Sequence, residues 1–121
     1  MMRGITTTLL LVLSAIGVAS AADRYPAKPV KIVVAFDPGG TADRIGRLLA
    51  DKLTTRLGVQ VFVENRAGSS GTVGSAFVTK AAPDGYTLLI GGSGPHITAP
   101  AINPNTGYNP LADFTHMTMI A

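Results

Sequence analysis

Three glycine-bearing segments each follow a strand-like run, and they are where this chain could do chemistry: Asp37-Pro38-Gly39-Gly40, Asn65 to Gly71, and Gly91-Gly92-Ser93-Gly94. Glycine lets a ligand approach the main chain closely, so each segment gives access to backbone N–H groups. Two of the three lead into helical patterns, whose first N–H groups are unpaired and carry partial positive charge. The chemistry on offer is capture of an anion. Any strand-to-helix turn favours glycine, so one such loop alone reads first as a plain turn; three at equivalent strand ends shift the reading modestly toward a site. Asp43 falls in the first turn of the first helical pattern. There a carboxylate either complements the helix dipole or organises water or the loop beside a ligand, and both readings stay open.

Motifs for catalysis or nucleotide binding fail on their spacing. Gly68-Ser69-Ser70-Gly71-Thr72-Val73-Gly74 lacks the G-x-G-x-x-G arrangement of a dinucleotide fingerprint, and no Gly-Lys pair exists to build a P-loop. Ser93 follows a strand, but Pro95 stands where a G-x-S-x-G nucleophile elbow needs its last glycine. Ser93 therefore reads as a hydrogen-bond donor, and His96 so close in sequence is a poor base for it. Cysteine is absent, which removes disulfides, thiolate metal sites and a cysteine nucleophile. His96 and His116 have no partner at metal-ligand spacing, so neither metal nor cofactor is expected.

The elements that must position these loops are legible from periodicity. Val30 to Phe36 is a β-branched run suited to a strand buried on both faces of a parallel sheet. Thr41 to Leu57 switches to helical spacing, with Ile45, Leu48, Leu49, Leu53 and Leu57 on one stripe and Arg44, Arg47, Asp51, Lys52 and Arg56 decorating the rest. Gly58 is placed to end it in a left-handed conformation. Val59 to Val63 reads as a second strand, giving a β-α-β unit with a right-handed crossover. Thr72 to Ala82 reads as a second helix with Val73, Phe77, Val78 and Ala81 inward. Pro83-Asp84-Gly85 is a turn, and Tyr86 to Ile90 a third strand. Beyond Gly94 the pattern weakens into a Pro- and Asn-rich stretch, with an extended segment expected over Phe114 to Ala121. Alternating strands and helices predict an α/β three-layer sandwich.

Composition narrows the partners. Ten Lys and Arg against seven Asp and Glu give a formal charge of +3, scattered without a basic run. A nucleic-acid groove needs a basic patch, so no nucleic-acid partner is expected. Met1-Met2-Arg3, the apolar stretch Ile5 to Val18 and the small residues Ala19-Ser20-Ala21 form a secretory signal over residues 1–22. The apolar stretch is shorter than the roughly 20 residues of a spanning helix. The mature domain is residues 23–121, exported from the cytoplasm.

Five segments carry a resemblance: Tyr25-Pro26-x-Lys28-Pro29; Phe36-Asp37-Pro38-Gly39-Gly40-Thr41-Ala42-Asp43; Val63-Glu64-Asn65-Arg66-Ala67-Gly68; Pro83-Asp84-Gly85-Tyr86-Thr87-Leu88-Leu89; and Tyr108-Asn109-Pro110 with Asp113-Phe114. In this order and spacing the mature chain resembles the Bug family of periplasmic receptors, the substrate-binding components of tripartite tricarboxylate transporters. The resemblance implies part of lobe one of a type II periplasmic-binding-protein fold, closing on its ligand by a hinge. It implies a receptor without catalysis, located in the periplasm, that captures a small carboxylate (tricarboxylate, dicarboxylate or amino acid) and delivers it to membrane transporter components. Carried over by position, it places Pro38, Gly39, Gly40 and Asp43 in a first gripping loop, Asn65, Ala67 and Gly68 along the cleft, and Ser93 and Gly94 as donors from the third loop.

Two positions depart from the family pattern. Asp37 stands where such receptors usually carry a small or apolar residue, and its charge should weaken anion binding unless turned outward or paired. His116 stands where proline is common. The resemblance also implies that lobe two, the hinge crossings and the last strands of lobe one lie beyond Ala121. The expectation is a truncated product or fragment, with open sheet edges and weak ligand binding. The alternatives are a small α/β nucleotide-binding domain or enzyme, which its glycine loops alone suggest, and a non-functional fragment.

Overall fold

The computed structural model describes residues 24–120; the signal-peptide reading over residues 1–22 lies outside them. Three parallel strands, β1 (Val30–Val34), β2 (Val61–Asn65) and β3 (Thr87–Ile90), form one sheet in the order β2-β1-β3. Val30 pairs with Val61 and Val34 with Asn65 on one side of β1, while Lys31 pairs with Thr87 and Val34 with Ile90 on the other. The central strand is the β-branched run, and Ile32, Val33 and Val34 are fully buried. Each contributes about 1.5–3 kcal/mol by leaving water.

Helix α1 (Thr41–Leu57) joins β1 to β2, and α2 (Thr72–Thr79) joins β2 to β3. Because the first crossover steps from the middle strand to one edge and the second returns across the sheet to the other edge, right-handed connections place the helices on opposite faces. The packing agrees. A Cβ on Gly46 of α1 would come within 2.8 Å of Val34 and 3.3 Å of Ile90, while one on Gly74 of α2 would meet Ala35 at 2.9 Å. Val30, Ile32, Val34, Ala50 and Val61 form the core under α1, with Leu49, Leu53, Val63, Leu88 and Ile90 against it. This is the three-layer α/β arrangement read from the sequence.

Several boundaries differ from the sequence reading. The second strand runs Val61–Asn65 rather than Val59 to Val63, because pairing with β1 sets its register and draws Glu64 and Asn65 into the ladder. The first ends at Val34, where both partners end. Helix α2 stops at Thr79, not Ala82; Lys80 N–H already bonds back to Phe77 in a tightened turn. Its inward residues are Gly74 and Ser75, and Val73 is 49% exposed. Lys31 is also at odds with a strand buried on both faces: its ammonium reaches the rim, 2.7 Å from Glu64 and over the Phe77 ring. Helix α1 matches its expected span, and Gly58 closes it at φ 71°.

The segment after β3 holds more structure than its composition suggested. A wide π-helical turn, Gly94–Thr98, runs into a short helix α3 (Ala99–Ile102), with Pro95 and Pro100 near their starts. Proline is tolerated there because a first-turn N–H has no helical partner. Residues 103–113 form turns, and no strand forms over residues 114–120. Thus all three glycine loops, not two, lead into helical turns.

Candidate functional site

The loops meet at the carboxyl ends of the strands, where open α/β sheets place their ligands. The second and third touch most closely: a Cβ on Gly94 would lie 2.7 Å from the Ser70 carbonyl, and one on Gly71 3.0 Å from Pro95. The first and third meet where the Phe36 ring would stand 3.3 Å from a Cβ on Gly92. The first and second are joined by Asn65, whose amide donates to the Phe36 carbonyl at 3.2 Å. Glycine at positions 71 and 94 is therefore a packing requirement, and at 71, where φ is 93°, a turn device as well.

Asp43 ties the first loop to the sheet. It is 3% exposed, and both carboxylate oxygens are engaged. Oδ2 accepts from Gly39 N–H at 2.8 Å and Arg47 Nε at 3.0 Å, and Oδ1 from Asn65 Nδ2 at 2.9 Å. Arg47 Nη2 also donates to Asn65 Oδ1 at 3.2 Å. The Arg47 contact, with the Gly39 and Asn65 hydrogen bonds, holds the Asp43 carboxyl down at about 2. Of the two roles open from the sequence, the geometry favours organising the loop. Asn65 is the last residue of β2 rather than a loop residue, and its side chain is spent on the same network.

Gly39 has φ 89° with open space where a Cβ would stand, and Gly40 caps α1 in an extended conformation with no side-chain acceptor on the first turn. Pro38, Gly39 and Gly40 are all exposed. What this loop presents is the uncapped start of a 17-residue helix. Ala67 is half-buried and Gly68 exposed, and Gly68 has φ 133°. A 3-10 turn, Ser69–Gly71, follows, in which Ser69 and Ser70 are left-handed at φ 47° and 54°. Such conformations are costly for residues other than glycine and gather at functional sites.

An open cleft of about 570 Å³ lies between this turn and the π-helical turn, walled by Ser69, Ser70, Thr72, Ser93, Gly94 and Thr98. Ser93 and Gly94 line this cleft, whereas Pro38, Gly39 and Gly40 do not. Sequence reasoning missed Ser69, Ser70 and Thr72; serines between the glycines of a loop were the available signal. A larger groove of about 680 Å³ lies along Pro100 and residues 104–111, away from the strand ends.

The chain after α3 supports the third loop. Tyr108 is 8% exposed and donates from its phenol to the Pro95 carbonyl at 2.6 Å. Phe114 meets Tyr108 edge-on at 5.8 Å and His96 at 5.0 Å, and His116 meets His96 at 5.9 Å. Burial, and then the charge of His116, lower the His96 pKa. No hydrogen bond joins His96 to Ser93 among the described residues, and the His96 ring instead fills the space beside Gly91. No group of three metal-ligating side chains occurs among the described residues.

Three parallel strands with three glycine loops at their ends are common to many α/β proteins, and relatives of known kind decide among them. Residues 45–121 match the family described as tripartite tricarboxylate transporter family receptor. The chain belongs to that family. BugT of Bordetella pertussis is 41% identical over 101 residues, which span 83% of this chain and 31% of BugT. The periplasmic binding protein BugD superposes with a TM-score of 0.70 at 43% identity, covering 74% of this chain and 30% of BugD. MatC from Rhodopseudomonas palustris, solved with bound malate, gives 0.70 at 40% identity, covering 75% of this chain and 31% of MatC. The chain spans about 30% of the length of the relatives it matches. The receptor family and its periplasmic binding proteins bind solutes and are not enzymes.

Proposed function

We propose that this chain supplies part of the first lobe of a periplasmic receptor that captures a small carboxylate and presents it to the membrane components of a tripartite tricarboxylate transporter. The observation that carries the reading is the convergence of three glycine-bearing loops at the ends of three parallel strands, in a chain of this receptor family. A ligand carboxylate sits on the N–H groups at the start of α1, beside Pro38, Gly39 and Gly40. Ser93 and Gly94 donate from the third loop, and Ala67 and Gly68 form the rim. Asp43 and Asn65 hold the first loop in place without touching the ligand. The malate in MatC is a ligand of the same chemical kind. Residues 1–22 act as the export signal.

A thermal-shift screen against mono-, di- and tricarboxylates, with nucleotides as controls, tests the reading. A saturable rise in melting temperature with one carboxylate class is expected. A rise with nucleotides and none with carboxylates would overturn it in favour of the nucleotide-binding alternative.

A further inference from the structure

We propose that His96 and His116 form an acid-sensitive latch: their neutral rings, together with Phe114, hold residues 114–116 against the third loop, and protonation lets that segment go. The latch does not depend on which ligand the cleft takes.

Three rings close on one another beside the π-helical turn. Phe114 meets His96 edge-on at 5.0 Å, His116 meets His96 at 5.9 Å, and Phe114 and His116 lie 6.2 Å apart. Gly91 crowds the His96 ring, since a Cβ there would stand 2.7 Å from Nε2. His96 Nδ1 is buried and has no hydrogen-bond partner. A neutral imidazole tolerates this by leaving that nitrogen without a proton. An imidazolium carries N–H on both nitrogens, so protonation would bury an unpaired, charged donor. His116 is exposed, and its Nε2 donates to the Pro110 carbonyl at 2.9 Å. That bond survives protonation of the ring, because a carbonyl only accepts.

No anion offsets either charge. The third loop, β3, α2, α3 and the Ser69–Gly71 turn carry no ionisable side chain. Asp113, beside Phe114, accepts from Asn109 N–H at 2.6 Å, and neither it nor Asp37 of the first loop pairs with a histidine among the described residues. Tyr108, the remaining titratable neighbour, is held neutral by burial and donates to Pro95. Burial and the charge of His116 both oppose a proton on His96. The latched state therefore binds that proton less well than the released one. Its contacts are at full strength above the ordinary 6.5 and weaken as pH falls below it. Thr115 and residues 117–120 are exposed and add little to hold the segment. Release removes part of the support of the third loop, whose Ser93 and Gly94 wall the cleft.

NMR of the isotope-labelled full chain, between about pH 7.5 and about pH 5, tests the latch. Cross-relaxation peaks between the His96 and Phe114 rings, and restrained backbone motion over residues 114–116, are expected at the upper pH. Both should be lost at the lower, with the same midpoint as the His96 imidazole titration, while the amides of β1 and α1 hold their shifts. His96→Phe supplies an uncharged ring and should keep the segment ordered throughout. His116→Gln keeps a donor for Pro110 without the charge and should move the midpoint up, which carries the test if the phenyl ring overpacks against Gly91. Ring contacts absent at the upper pH, order that outlasts His96 protonation, an acid release that persists in His96→Phe, or a midpoint unmoved by His116→Gln would overturn the proposal.

Discussion

Asp43 shows how a single side chain decides the shape of the first loop. Its carboxyl is held near 2 against an ordinary value of 3.8, so the folded state binds its proton less readily than the unfolded chain. The stabilisation is full above the ordinary value and is lost as pH falls from about 3.8 through about 2. Urea unfolding followed across that window should show Asp43→Asn less stable than the parent at pH 6, with the difference shrinking as acid removes the parent's advantage. A difference constant down to pH 2 would contradict the network. His96 tests the opposite side of the site. Burial favours its neutral form, so its contribution falls as pH drops below the ordinary 6.5. Imidazole titration by NMR should place His96 below 6.5; a value above it would mean the ring is not packed against Phe114 and His116.

At the scale of elements, what was legible followed from side-chain pattern, and what was missed followed from close approach. The β-branched run announced β1, and helical spacing with Gly58 gave α1 to the residue. The inner face of α2 was misread because periodicity counts apolar residues, whereas the contact uses the smallest ones. A Cβ on Gly74 would lie 2.7 Å from the Arg66 carbonyl and 2.9 Å from Ala35 Cα, both backbone atoms that cannot rotate away. Gly74→Ala gains about 1 kcal/mol of helix propensity. Overpacking costs about 1–3 kcal/mol, and fixed backbone on two sides places this position at the upper end. The variant should therefore be destabilised in denaturant melts; a gain in stability would show that α2 stands off the sheet. The π-helical turn after β3 was hidden by Pro95 and Pro100, which read as breakers although each sits near a helix start. Glycine loops marked the strand ends in the sequence. They did not reveal that Asn65 and Asp43 face inward or that the serines of the second loop form the cleft wall, because those facts depend on which loops touch.

At the scale of the whole molecule, β2 and β3 are the outer strands of the sheet among the described residues, and the family resemblance read from short motifs agrees with the fold and with the matched relatives. The central claim is that the three strand-end loops together hold a carboxylate. Amide chemical-shift mapping during a carboxylate titration tests it most directly. Saturable shifts should gather at Gly40 to Ala42, Ser69 to Thr72 and Ser93 to Gly94, with the exposed side of α1 and residues 104–111 unmoved. Shifts confined to the groove along residues 104–111, or none that saturate with any carboxylate, would contradict the account.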